Sequence, residues 1–274
     1  MSQIYATDIA IGDEFRASNY GLVVGFVNNY EGNDREETGI SVETVEEYIG
    51  ELPTPIYISQ KYSSKLKMEL SLVKDPCKYP DPEITEFEIR GILRQVFGRR
   101  GYQWMGLIND NIGDDISYKV RVINVDYQRI NSKVVGLILG MECDSQFGYS
   151  PEQKININVL ANTPFYIYTT SDDLNNYLYP DVIITCQSAG NLIITNNSDN
   201  EWVTRINNCG NNEILEINNQ KEIITSSNPR PFILNDFNLH WLRLLPDKNE
   251  FICSMDANIV FKFRNPRRVG FVNI

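Results

Sequence analysis

The chain of 274 residues contains a single histidine, His240. A Ser-His-Asp triad would have to be built around it, yet it sits at strand spacing between Leu239 and Trp241 and reads as an interior or interface residue. Zinc sites draw on several His or Cys ligands. Here the five cysteines, Cys77, Cys143, Cys186, Cys209 and Cys253, are widely spaced, odd in number and free of any Cys-x-x-Cys. That argues against both a thiolate metal site and a disulfide framework, and the cysteines read as core residues.

Long apolar runs are also missing. None approaches the ~18 residues that span a bilayer, so no membrane partner is expected. The start, Met1 to Asp8, has neither the basic residues nor the apolar core of an export signal. Synthesis in the cytoplasm without a signal peptide is the expectation. Positive charge is scarce: 25 Lys and Arg against 36 Asp and Glu give a net charge of −11. Phosphate neutralisation needs a basic surface, so specific nucleic-acid binding is not expected. The local exceptions, Arg99-Arg100 and Arg264 to Arg268, read as solvated faces or interface ion pairs.

Catalytic motifs are absent too. There is no Gly-x-Gly-x-x-Gly, no phosphate loop and no Gly-x-Ser-x-Gly. Gly98-Arg99-Arg100-Gly101 reads as a helix stop. The acidic pairs Asp114-Asp115 and Asp172-Asp173 fit no calcium loop and read as solvated charge. Trp104, Trp202, Trp241 and the tyrosines could stack on sugars, but core and interface roles are commoner. The expected set is therefore no catalytic residue, no cofactor-binding residue, no metal ligand and no cofactor.

What is present is a foldable composition, 42% hydrophobic and 22% charged, long enough for two domains. The first half mixes strands with one helix. Gly21 to Val27 reads as a strand. In Ile40 to Tyr48, Ile40 and Val42 fit a strand while Val45 and Tyr48 fit a helical spacing, and strand is the favoured reading. Tyr62 to Val73 alternates with Leu66, Met68, Leu70 and Leu72 on one face. A helix is expected over 82–97, with Asp81 as N-cap, Pro82 at the first position and Gly98 as stop. Its apolar face would comprise Ile84, Phe87, Ile92, Leu93, Val96 and Phe97. Strands at 118–122 and 133–139 flank a turn near Asn131-Ser132, and breakers at Gly148, Ser150 and Pro151 mark a domain boundary.

The second half reads as strand and turn throughout. Hairpins are expected for 182–186 with 192–195 and for 213–217 with 222–225, in an antiparallel sandwich. The last forty residues hold two apolar runs, one on each side of Pro246-Asp247-Lys248-Asn249, and read as a terminal strand pair that closes a sheet. In the second, Ile259, Phe261 and Phe263 share one face.

That C-terminal stretch resembles the signature of bacteriophage distal tail proteins, the hub at the tip of long-tailed phages. Tyr62 to Leu70 resembles the strand before the family's helix, Glu86 to Arg94 the helix, and Gly101 to Met105 the segment after it. Tyr177 to Pro180 and Gly190 to Asn196 are similar to the opening of its second domain, and Glu213 to Ile224 resembles its continuation in register. One departure stands in the late turn, where the family usually has Pro-Gly and this chain follows Pro246 with Asp247-Lys248 in place of the Gly. The resemblance implies a mainly β fold. A β-barrel-like, split-barrel first domain (1–147) with one flanking helix is completed by the C-terminal strand (about 256–274), and a galectin-like antiparallel β-sandwich (151–255) follows. It also implies a ring of six copies in the virion tail tip. Its partners would be the tail tube, tape-measure and tail-tip proteins, with receptor-binding proteins beyond. Two alternatives remain: a carbohydrate-binding host-recognition module, and a cell-wall hydrolase.

Overall fold

The structure is a computed structural model that describes residues 8–24, 42–47, 54–62, 65–75, 77–97, 100–108, 116–229 and 233–268. The chain divides into two compact units, Met1–Tyr149 with Arg268–Ile274, and Ser150–Arg267.

In the first unit β1 (Asp8–Ile11), β2 (Phe15–Arg16), β3 (Leu22–Val24), β4 (Val42–Glu47), β5 (Ile56–Tyr62) and β6 (Lys67–Lys74) precede α1 (Glu86–Phe97). After it come β7 (Gln103–Ile108), β8 (Ser117–Ile130), β9 (Lys133–Cys143) and β10 (Gly148–Tyr149). The main sheet runs β2-β1-β7-β8-β9-β6-β3. It is a curled, open sheet. Its end strand β3 packs against β1, but β3 and β2 do not pair among the described residues, so no barrel closes. The core lies on the face formed by Leu70, Leu72, Met105, Val120, Leu137 and Leu139, covered by Ile92 of the helix.

The β8–β9 hairpin turns through Asn131 (φ 48°) and Ser132 (φ 68°). Two successive positive φ angles make the mirror-image turn whose twist matches that of paired strands. Bulges at Val122/Asn124 and Gln128/Arg129 bend this long pair. On the outer face Gly136 and Gly140 pair with Gln128 and Asn124, whose side chains occupy the space that a Cβ would need.

The helix begins four residues later than the spacing suggests. Thr85 and Glu88 form a reciprocal cap. The Glu88 carboxylate accepts from the Thr85 N–H and hydroxyl, each at 2.8 Å, while Thr85 Oγ1 accepts from the Glu88 N–H at 3.3 Å. Asp81 instead pairs with Lys133 at 3.0 Å. Phe87, expected on the buried face, is 87% exposed, because the late start leaves Ile84, Ile89, Ile92 and Val96 to face the core. Gly98 and Arg99 lie outside the described residues, as do Val27 and Ile40.

The second unit is a sandwich of two antiparallel sheets. Its strands are β11 (Gln153–Val159), β12 (Pro164–Tyr168), β13 (Asp181–Cys186), β14 (Gly190–Asn196), β15 (Trp202–Cys209), β16 (Ile214–Asn218), β17 (Ile223–Ser226), β18 (Lys248–Cys253) and β19 (Ala257–Phe263). One sheet has the order β11-β19-β13-β16-β17 and the other β12-β18-β14-β15. Alternate residues point inward, and Phe165, Phe251 and Phe261 cluster with ring centroids 5.5–6.4 Å apart.

Three expectations change here. Residues 257–263 do not complete the first domain; of the expected range, only the chain from Arg268 onward groups with it. β19 lies between β11 and β13, with Ile259, Phe261 and Phe263 buried in the sandwich core. Residues 269–274 lie outside the described residues. Strands β13 and β14 do not form a hairpin, since they belong to opposite sheets and the turn carries the chain from one to the other. The 213–225 hairpin does form, as β16 with β17.

The third change concerns residues 237–245, which form no regular strand. Buried asparagines stand in for a strand partner. Asn249 Oδ1 accepts from the Leu245 N–H at 2.8 Å and its Nδ2 donates to the Leu245 carbonyl at 2.9 Å. Asn219 Oδ1 accepts from the Leu242 N–H at 2.8 Å. Each amide returns a backbone group to a hydrogen bond that it would otherwise lose on burial. Asp247, with φ 67°, releases β18 to start at Lys248, inside the expected turn.

Candidate assembly surface

Among the described residues no group of three or more His, Cys, Asp or Glu side chains converges as a metal site. Asp114 and Asp115 lie outside them. Asp173 is buried and holds a local turn, accepting from the Asn175 N–H at 3.3 Å and the Asn176 amide at 2.9 Å. Asp172 pairs with Arg267 at 3.9 Å. Arg267 also donates to the Thr170 carbonyl and, at 2.9 Å, to its hydroxyl, while Arg264 donates to the Ser150 carbonyl at 3.2 Å. Both arginines are thus committed within the protein.

His240 is exposed rather than interior. Its ring stacks on Trp202 at 4.4 Å, and Nδ1 lies 3.1 Å from the Val203 carbonyl. The Arg243 guanidinium lies 3.8 Å from the Trp202 ring and 3.9 Å from that of Tyr177. Its Nε donates to the buried Asp199 carboxylate at 2.6 Å. Burial works against the Arg243 charge, but the hydrogen bond and the charge of Asp199, with smaller contributions from Tyr177 and Tyr179, together outweigh it and hold the pKa above the ordinary value. Trp202 further donates to the Trp241 carbonyl at 3.0 Å. The indole of Trp202 is therefore engaged by two cationic or aromatic neighbours of its own chain. It is a structural stack rather than a free sugar platform.

The same region closes a sheet edge. Residues 236–240 run beside β15, with the Asn207 N–H donating to the Asp236 carbonyl at 2.8 Å and Asn238 Nδ2 to the Val203 carbonyl at 2.8 Å. Sequence reasoning missed this stack. The signal was present as Tyr177, Trp202, His240 and Arg243, but nothing in spacing brings residues so distant together.

Of the cysteines, Cys143, Cys186, Cys209 and Cys253 are buried, and burial pushes the Cys143 thiol up to about 12. Cys77 is exposed, contrary to expectation, because it sits in the turn after β6 rather than in a strand.

The exposed apolar surface of the first unit is more informative. Ile56, Tyr57 and Ile58 are 44%, 55% and 55% exposed. Three consecutive residues of a strand point to both faces of a sheet, so among the described residues both faces of the β4–β5 pair carry exposed apolar side chains. β4 and β5 pair only with one another among the described residues. Phe87, Ile123, Tyr127 and Ile130 add exposed apolar area on α1 and β8.

Two family models match this chain. Residues 10–145 match a phage tail protein N-terminal domain, and residues 147–263 a phage tail C-terminal domain. No curated protein sequence matches it. Among solved structures it is similar to the SPP1 Dit (gp 19.1) protein, described as a paradigm of the hub adsorption apparatus in phages infecting Gram-positive hosts. The TM-score is 0.62 at 14% identity, covering 94% of this chain and 98% of that one. Phage P2 baseplate structures in the activated conformation, with Ca or Sr, align at a TM-score of 0.49 and 9–10% identity, over 97% of this chain and 99% of theirs. That likeness is too distant to argue from. The Dit likeness establishes the fold, and the two models follow one another along the chain. The chain belongs to the phage tail proteins whose N-terminal and C-terminal domains they describe.

Proposed function

We propose that the chain is a ring-forming hub of a phage tail tip, with no catalytic role. Six copies close through the first unit and join the tail tube and tape-measure protein to the tail-tip and host-adhesion proteins of the virion. The carrying observation is the exposed β4–β5 pair. An isolated two-stranded hairpin is marginal in water, and exposed apolar residues on both of its faces call for a partner. A neighbouring copy is the partner that a heterologous, ring-closing interface supplies. The shared Dit fold supports the same reading, since that protein is described as a hub.

The net charge of −11 opposes closure, because like charges gather around a ring. Moderate salt, which screens over ~8–10 Å, should favour it. The test is light scattering of the purified chain at moderate salt, with and without the tail partners. A mass of about six chains is expected. A monomer that persists at high concentration with the partners present would overturn the proposal.

A further inference from the structure

The second unit buries three free thiols in one apolar cluster. Cys186 and Cys253 are 0% exposed and Cys209 is 3% exposed. Cys186 ends β13 in the five-stranded sheet, and Cys209 ends β15 in the four-stranded one. Directly after Cys209 the chain crosses between the sheets, through a turn that Glu213 closes by accepting from the Gly210 N–H at 2.5 Å. That crossover is tied to Cys186 by two backbone bonds. The Cys186 N–H donates to the Glu213 carbonyl at 2.9 Å, and the Asn212 N–H donates to the Cys186 carbonyl at 2.8 Å. The backbone thus fixes the two cysteines at opposite ends of one short crossover, with both side chains directed into the same core. The Cys209 thiol lies against that of Cys186 and, ahead of burial, is what holds its proton on.

We propose that Cys186 and Cys209 are a disulfide-forming pair that staples the two sheets together when the protein leaves reducing surroundings. A pair of this kind stays reduced in a cytoplasm and oxidises outside it. Buried, protonated thiols are poor nucleophiles, so exchange waits on local opening at this end of the sandwich. The co-reactant is a small disulfide. One cysteine gives its proton to water, and its thiolate attacks the small disulfide, forming a mixed disulfide and expelling one thiolate. The second cysteine then loses its proton and attacks the protein sulfur of that mixed disulfide, expelling the other. Two S–H bonds are lost, one Sγ–Sγ bond forms, and the reagent is reduced to two thiols, which take up the released protons.

The test uses the full chain carrying Cys77→Ser, which removes the exposed thiol. It is incubated with hydroxyethyl disulfide, denatured, alkylated and mapped by peptide mass. The expected product is a linked peptide pair containing Cys186 and Cys209, two hydrogens lighter than the separate peptides. The unfolding midpoint of the second unit should rise by about 10 °C and fall back on reduction. Cys209→Ala should abolish the linkage, and Cys253→Ala should leave it. The mapping needs no substitution at the pair itself, so a variant that fails to fold does not affect the result. Four alkylatable thiols after incubation long enough for the amides of β13 and β15 to exchange would overturn the proposal, as would a linkage through Cys253.

Discussion

Replacing Asn249 with alanine should destabilise the sandwich far more than its single polar side chain suggests. Asn249 is fully buried and bonds to both backbone groups of Leu245 and to the Asn196 amide, the last at 3.1 Å. Without it the Leu245 N–H has no partner, and an orphaned buried group costs ~1–3 kcal/mol. The other two losses are partial. The Leu245 carbonyl still accepts from the Thr169 hydroxyl at 3.0 Å, and the Asn196 amide keeps a 3.4 Å bond to the Arg243 carbonyl. One full and two partial losses come to about 2–4 kcal/mol, a fall in midpoint on the order of 10 °C for a unit of this size. The assay is urea unfolding followed by Trp202 and Trp241 fluorescence, with Trp104→Phe removing the first unit's signal. Asn258→Ala is the control, since its amide bonds only the surface Asn156 and Asn158 side chains, and it should cost under ~0.5 kcal/mol. Equal costs for the two substitutions would refute the reasoning that buried asparagines replace a strand partner along 237–245.

Three further outcomes concern the first unit. A Cβ at Gly140 would overlap Asn124 Oδ1, so Gly140→Ala should cost ~1–3 kcal/mol and Asn124→Ala should restore most of it. Gly136→Ala should resist rescue by Gln128→Ala, because the Leu72 carbonyl remains 2.9 Å from the new methyl; denaturant double-mutant cycles distinguish the two. The third outcome is pH-dependent. Burial pushes the Asp8 and Glu88 carboxyls up, but hydrogen bonds from Arg16 and Ser18, and from Thr85 and Lys74, together outweigh it and hold both below the ordinary values of 3.8 and 4.5. Their stabilisation is therefore present above those values and lost as pH falls through the lower folded ones. Asp8→Asn with Glu88→Gln should flatten the acid limb of first-unit unfolding between about pH 5 and pH 2; an unchanged limb would contradict this assignment.

Much of the fold was legible from local pattern. Alternation in 66–72 and 259–263 found the buried faces, and Asn131-Ser132 marked a turn that tolerates positive φ. What could not be read was pairing. The alternation of Val182 to Cys186 and Leu192 to Thr195 is the same whether the strands form a hairpin or face one another across a sandwich. The helix start failed because two caps compete, and the Thr85–Glu88 box satisfies more backbone donors than Asp81. The apolar run before Pro246 looked like a strand because asparagines at 219 and 249, remote or beyond the window, supply its hydrogen bonds. The exposed β4–β5 pair needed the structure, since a strand with exposed apolar residues on both faces reads from sequence as a buried one.

The most direct measurement is electron microscopy of the purified, assembled protein viewed down its axis. Closed rings with six-fold rotational symmetry, in which the β4–β5 hairpin of each copy lies against its neighbour, are the expected result. Rings of another order would correct the copy number alone. Isolated particles, or copies joined with the β4–β5 hairpin still facing solvent, would contradict the proposal that this surface builds the hub.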